Sequence, residues 1–199
     1  RSTGATKWAA EDGTLGAFVA EMDFGIDHKI TEALHRAVDA GSFGYMPRGI
    51  ATALSEATAE FVGRRYGWRV PASDVWGVPD VIVGLELAME HCSAPGSKII
   101  VPTPSYMPFL FVPPMRSREV IEVPLAVRDC RYEFDLDALQ RAFDEGGNLL
   151  LLCNPYNPVG RVFSREELVA ISEVVERNGG RGFSDEIWAP LVFSGATHG

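Results

Sequence analysis

A three-layer α/β/α fold around a mostly parallel, mixed sheet is what this sequence predicts, on three observations. Short apolar runs at 98–101, 119–123, 148–153 and 181–184 read as strands. They alternate with helical patterns at 81–92, 136–143 and 165–178, and alternation of this kind places helices on the faces of a parallel sheet. The run LLLLC at 149–153 is apolar at every position, as a strand covered on both faces requires. The 199 residues, 46% hydrophobic and 23% charged, suffice for one buried α/β domain or a large piece of a bigger one.

The chain divides into an arm with a first helix (1–45) and a main domain (46–199). Residues 1–26 are irregular and rich in Gly and Ala, and contain AEMDF, in which Met22 and Phe24 flank Asp23. From Asp27 as N-cap, Ile30, Ala33, Leu34, Ala37 and Val38 fall on one helical face, and Gly41 stops the helix. A second helix is expected over 50–66, with Leu54, Ala57, Phe61 and Val62 on its face and Gly67 at its end. Ser164 and Glu167 have the spacing of a capping box, which satisfies two amides at a helix start.

A formal net charge of -9 argues against a nucleic-acid partner, which basic patches would have to hold. No apolar run approaches the roughly 20 residues of a membrane helix, and the start lacks the blocks of a signal peptide, so the expected location is cytoplasmic. Cys92, Cys130 and Cys153 are widely spaced, without C-x-x-C or a histidine at metal-ligand spacing. Neither a disulfide framework nor a metal site is expected, and Cys92 and Cys153 read as small buried hydrophobes.

In open α/β sheets ligands lie outside the carboxyl ends of the strands, so the polar phrases at those ends matter. Three occur in succession: VPTPSYMPF, CNPYNPVGR and SDEIW. Each alone is an ordinary turn, since Pro, Asn and Asp are turn and cap formers. No G-x-G-x-x-G follows any predicted strand, so a dinucleotide binder lacks support.

Together and in this order they resemble the large domain of fold-type-I pyridoxal-phosphate enzymes, the aminotransferase class I/II superfamily. Asn154, Pro155, Asn157, Pro158 and Gly160 match one motif of that family, and Asp185 with Glu186 matches another. The resemblance implies pyridoxal 5'-phosphate as cofactor, with Asn157 donating to its 3-oxygen and Asp185 paired with its pyridinium nitrogen. Tyr106 matches the aromatic residue that stacks on the ring. Val81 and Ile82 open the helix whose amides would hold the phosphate, with Asp80 where many relatives have glycine. AEMDF and FGYMP narrow the resemblance to the cystathionine β-lyase and C–S lyase branch. There Tyr45 would reach the phosphate of a homodimer partner, and Asp23 and Phe24 would border the substrate pocket.

Two departures stand out. Trp188 occupies a position near the cofactor where relatives carry tyrosine or histidine. The only lysines are Lys7, Lys29 and Lys98, and none matches the family's Schiff-base lysine. The resemblance implies an N-terminal portion, with that lysine and the C-terminal small domain absent and the 199-residue chain inactive alone. For the parent it implies a C–S β-lyase acting on cysteine S-conjugates such as cystathionine, a small-molecule amino-acid substrate. An aminotransferase shares the first carbanion and is the alternative. A non-catalytic remnant or binding module is a second.

Overall fold

The computed structural model describes residues 5–9, 13–195 and 197–198 and divides into two compact units, 1–48 and 49–199. In the first unit a 3-10 turn, Thr6–Trp8, precedes α1 (His28–Asp39). Asp27 caps α1 as expected, its side chain accepting from the Lys29 N–H at 2.8 Å. Lys7 is buried and reaches the Glu21 carbonyl and the Asp23 carboxylate. Gly16 is required beside it, because a Cβ there would meet the Lys7 carbonyl oxygen at 2.0 Å. The apolar stripe of α1, Ile30, Leu34 and Val38, is solvent-exposed.

All of α2 (Arg48–Tyr66) but its first residue belongs to the second unit, which continues through α3 (Val81–His91), β1 (Lys98–Thr103), α4 (Pro108–Met115) and β2 (Val120–Pro124). A short ribbon of β3 (Ala126–Arg128) and β4 (Arg131–Glu133) follows, then α5 (Leu136–Asp144), β5 (Gly147–Cys153), α6 (Arg165–Arg177) and β6 (Arg181–Asp185). The main sheet has the order β2-β1-β5-β6, with every pairing parallel. Among the described residues antiparallel pairing lies outside this sheet, in the β3–β4 ribbon and an isolated Tyr156–Arg161 bridge, so the four described strands form a parallel rather than a mixed sheet.

Successive strand residues point to opposite faces, and both faces are covered. Ile99 and Val101 of β1 and Leu149, Leu151 and Cys153 of β5 pack with Leu85 and Met89 of α3 and Phe109 and Val112 of α4. Ile100, Val123 and Leu150 pack with Leu139, Ala142 and Phe143 of α5 and Ile171, Val174 and Val175 of α6. The three-layer architecture is thereby borne out. Each such Leu or Ile contributes roughly 1.5–3 kcal/mol of burial.

The Ser164–Glu167 capping box is present in both directions at the start of α6. Two readings need correction. Cys92 is exposed rather than buried, because it is the C-cap of α3, where the chain turns out of the helix. The segment 108–115, in which the sequence predicts no helix, forms α4 despite Pro113 and Pro114 within it, because Phe109 and Val112 gain burial against the sheet.

Candidate functional site

From β1 the chain runs outward to β2, then returns past β1 to place β5 on its other side. The order thus reverses between β1 and β5. A crevice opens outside the carboxyl ends at such a switch point, and Thr103 and Cys153 end these two strands.

Beyond β1, Tyr106 is 40% exposed and sets its ring edge against Phe109, centroids 5.9 Å apart. Beyond β5, Asn154 is buried. Its N–H donates to the Asp185 carbonyl at 2.9 Å, and its Oδ1 accepts from the Phe163 N–H at 3.0 Å. Tyr156 donates its hydroxyl to the Pro102 carbonyl at 2.8 Å, fastening this loop to β1; burial pushes that phenol far up, so it stays a neutral donor. Asn157 is half-buried and donates its N–H to Cys153 Sγ at 3.5 Å.

Asp185 closes β6 at 5% exposure. Its Oδ1 accepts from the Ile187 N–H at 3.1 Å, and it has no cationic partner among the described residues. Burial pushes its carboxyl above the usual range, outweighing the Ile187 bond, and neighbouring Glu186 adds repulsion. A desolvated carboxylate of this kind fits a ligand that brings a cation or a shared proton.

At the start of α3, the amides of Val81 and Ile82 have no partner among the described residues, while Asp80 accepts from the Val83 N–H at 2.9 Å. The helix therefore keeps two free donors for an anion, beside a carboxylate that opposes one.

Asn157 and Trp188 share the wall of an open cavity of about 560 Å³, with Pro155, Arg131 and Phe193 among the other walls. Tyr106, Asp185, Val81 and Ile82 lie outside that wall. In the unit 1–48, Asp23 is held by Lys7 and Trp8, each at 2.8 Å, and the Lys7 hydrogen bond above all draws its carboxyl below the usual range. Phe24 and Tyr45 are exposed.

Sequence reasoning missed His198, which is buried and reaches both Asn154 and Glu186. It lies in GATHG, which has no periodic or motif signal; only the folded chain brings it to the strand ends.

A doubly covered parallel sheet with polar loops gathered at its switch point defines a ligand-binding α/β domain of the kind that carries enzyme sites. Residues 19–198 match the aminotransferase class I and II family, to which the chain belongs. It is 41% identical over 193 residues to the cystathionine beta-lyase of Corynebacterium glutamicum, covering 96% of this chain and 50% of that protein. The structure of a putative PLP-dependent beta-cystathionase from Corynebacterium diphtheriae superposes with a TM-score of 0.87 at 37% identity, over 99% of this chain and 51% of that one. Cystalysin from Treponema denticola, whose structure contains pyridoxal 5'-phosphate, gives 0.88 at 26% identity over 100% and 52%. The chain thus spans about half the length of these relatives.

Proposed function

We propose that the chain forms the pyridoxal-phosphate cradle of a C–S β-lyase whose substrates are cysteine S-conjugates. The observation that carries this reading is Asp185, buried at the carboxyl edge without a cationic partner among the described residues. When bound, pyridoxal phosphate supplies an electron sink for a carbanion at the substrate α-carbon.

Asp185 would hold a proton on the ring nitrogen, and that charge would in turn stabilise the carboxylate. Tyr106 would lie against the ring. Asn157 would donate its side-chain N–H to the ring oxygen, with Trp188 on the same cavity wall. Val81 and Ile82 would donate their free amides to the phosphate, and the Asp80 charge would weaken that contact. Lys98, the only lysine in 49–199, stands at the opposite end of β1 and pairs with Glu119 at 3.0 Å, so it cannot serve as the base at this edge.

The C. glutamicum relative supports the lyase over an aminotransferase. The substrate would be a small amino acid bordered by Asp23 and Phe24. A homodimer, in which Tyr45 reaches the partner's phosphate, fits the full exposure of Tyr45 and the partial exposure of the α1 stripe Ile30, Leu34 and Val38. Among the described residues no helix is long and apolar enough to cross a membrane, and a cytoplasmic location is part of the proposal.

The test joins this chain, by co-expression, to the second half of the C. glutamicum enzyme, with that enzyme's own two halves as control. Pyruvate released from cystathionine without an added keto acid is the expected result. Amino transfer that requires a keto acid would replace the lyase by an aminotransferase.

A further inference from the structure

Of the residues assigned to the cofactor, Asn157 lies on the loop 154–160 after β5 and Trp188 on the loop 186–191 after β6, while Asp185 ends β6 itself. A buried histidine joins the two loops. The His198 side chain is 5% exposed, with Nε2 3.2 Å from Glu186 Oε2 and Nδ1 3.5 Å from Asn154 Nδ2. The Asn154 amide orientation is fixed independently, because its Oδ1 accepts from the Phe163 N–H. Its NH₂ therefore faces His198 and donates. Nδ1 must accept, which leaves the ring proton on Nε2, where it donates to Glu186. The Tyr66 ring backs the imidazole edge-on, centroids 5.3 Å apart at 81°.

We infer that His198 is a positioning residue that clamps the loops after β5 and β6 together, and so fixes Asn157 and Asp185 toward the cofactor. Each bond is made to a residue one to three positions from those two. Asn154 begins the loop that carries Asn157, and Glu186 directly follows Asp185. The strand ends are already joined by the Asn154 N–H to Asp185 carbonyl bond, so His198 adds the side-chain half of one lock. The Asn154 bond is buried, where geometry is held more firmly than in water; the Glu186 carboxylate is 43% exposed, so that bond is held chiefly from the buried imidazole side. The last step, toward the cofactor, rests on the proposed function; the clamp itself does not.

Amide hydrogen exchange on the 199-residue chain without added cofactor tests the clamp. Phe163 and Ile187 report it, since their N–H groups bond to Asn154 Oδ1 and Asp185 Oδ1; Ile100 and Leu150 serve as sheet controls. In His198→Ala both reporters should exchange about threefold to tenfold faster, the loss of about one net hydrogen bond, with the controls unchanged. His198→Gln, which keeps a side-chain N–H for Glu186, should recover the Ile187 protection. In a parallel titration with pyridoxal phosphate, His198→Ala should weaken binding by a similar factor.

Unchanged reporters, or equal acceleration at Ile100 and Leu150, would overturn the clamp, the latter by showing a general loosening. Unchanged affinity in a chain that binds the cofactor would overturn the positioning role. A chain that binds no pyridoxal phosphate while Phe163 and Ile187 respond as expected would support the clamp and remove the cofactor reading.

Discussion

Cys153 and Asp185 stand side by side in register at the carboxyl ends of β5 and β6. Both are buried, at 3% and 5% exposure, and burial shifts both acids upward. Burial resists the ionisation of both, and the Asp185 charge further opposes that of the Cys153 thiol.

Asp185 should therefore cost the fold stability when ionised and bound to nothing. Its folded pKa lies above the unfolded value, so the ionised state is penalised in the native protein. Stability should fall as pH rises through the carboxylate range. Asp185→Asn should melt no lower than the parent near neutral pH and lose that part of the pH slope. Thermal melts across the acid range check this; a large destabilisation by Asp185→Asn would contradict it.

The cysteines should separate by reactivity. Cys92 and Cys130 are exposed, whereas the Cys153 thiol is pushed by burial up to about 11, against the opposing Asn157 N–H. A thiol reagent near pH 8 should label two sites quickly and Cys153 only on unfolding. The unfolded thiol ionises near about 8.5, so stability should drop as pH rises from there through about 11. Rapid labelling of a third site in the folded chain would contradict the burial.

Gly147 begins β5 where a Cβ would lie 2.5 Å from Ile100 Cγ1 and 2.7 Å from the Ala142 carbonyl oxygen. Gly147→Val should cost at least roughly 1–3 kcal/mol by overpacking, measurable by denaturant unfolding. A neutral substitution would mean that α5 sits farther from β5 than described.

At the start of α6, Ser164→Ala should cost about 1 kcal/mol by removing a cap. Burial pushes the Glu167 carboxyl up, but its bonds to Arg161 and the Ser164 N–H, with the charge of Arg131, bring it below the usual range. Its contribution is thus present above the unfolded carboxyl pKa and is lost as pH falls through the lowered one. Glu167→Gln should flatten the acid limb of the stability curve.

Much of this fold was legible in sequence because its signals are local. LLLLC announced a doubly buried strand, Asp27 and the Ser164–Glu167 pair announced their helices, and the turn phrases marked the carboxyl edge. α4 was not legible, since Pro113 and Pro114 argue against a helix that packing of Phe109 and Val112 imposes. The β3–β4 ribbon was hidden as well. Its strands have three residues each, and the turn between them puts Asp129 and Cys130 at φ 48° and 59° without a glycine. In the candidate site, Asp185 and Asn157 were singled out through their motifs. His198 was not, because its partners lie 12 and 44 residues away.

Titration of the 199-residue chain with pyridoxal phosphate, followed by absorbance in the parent and in Asp185→Asn and ended by dialysis, bears most directly on the cradle. Saturable binding that reverses on dialysis and weakens roughly ten- to hundredfold in Asp185→Asn, the scale of a charged hydrogen bond, is the expected result. No saturable binding, or equal binding by both proteins, would contradict the assignment of Asp185 to the cofactor.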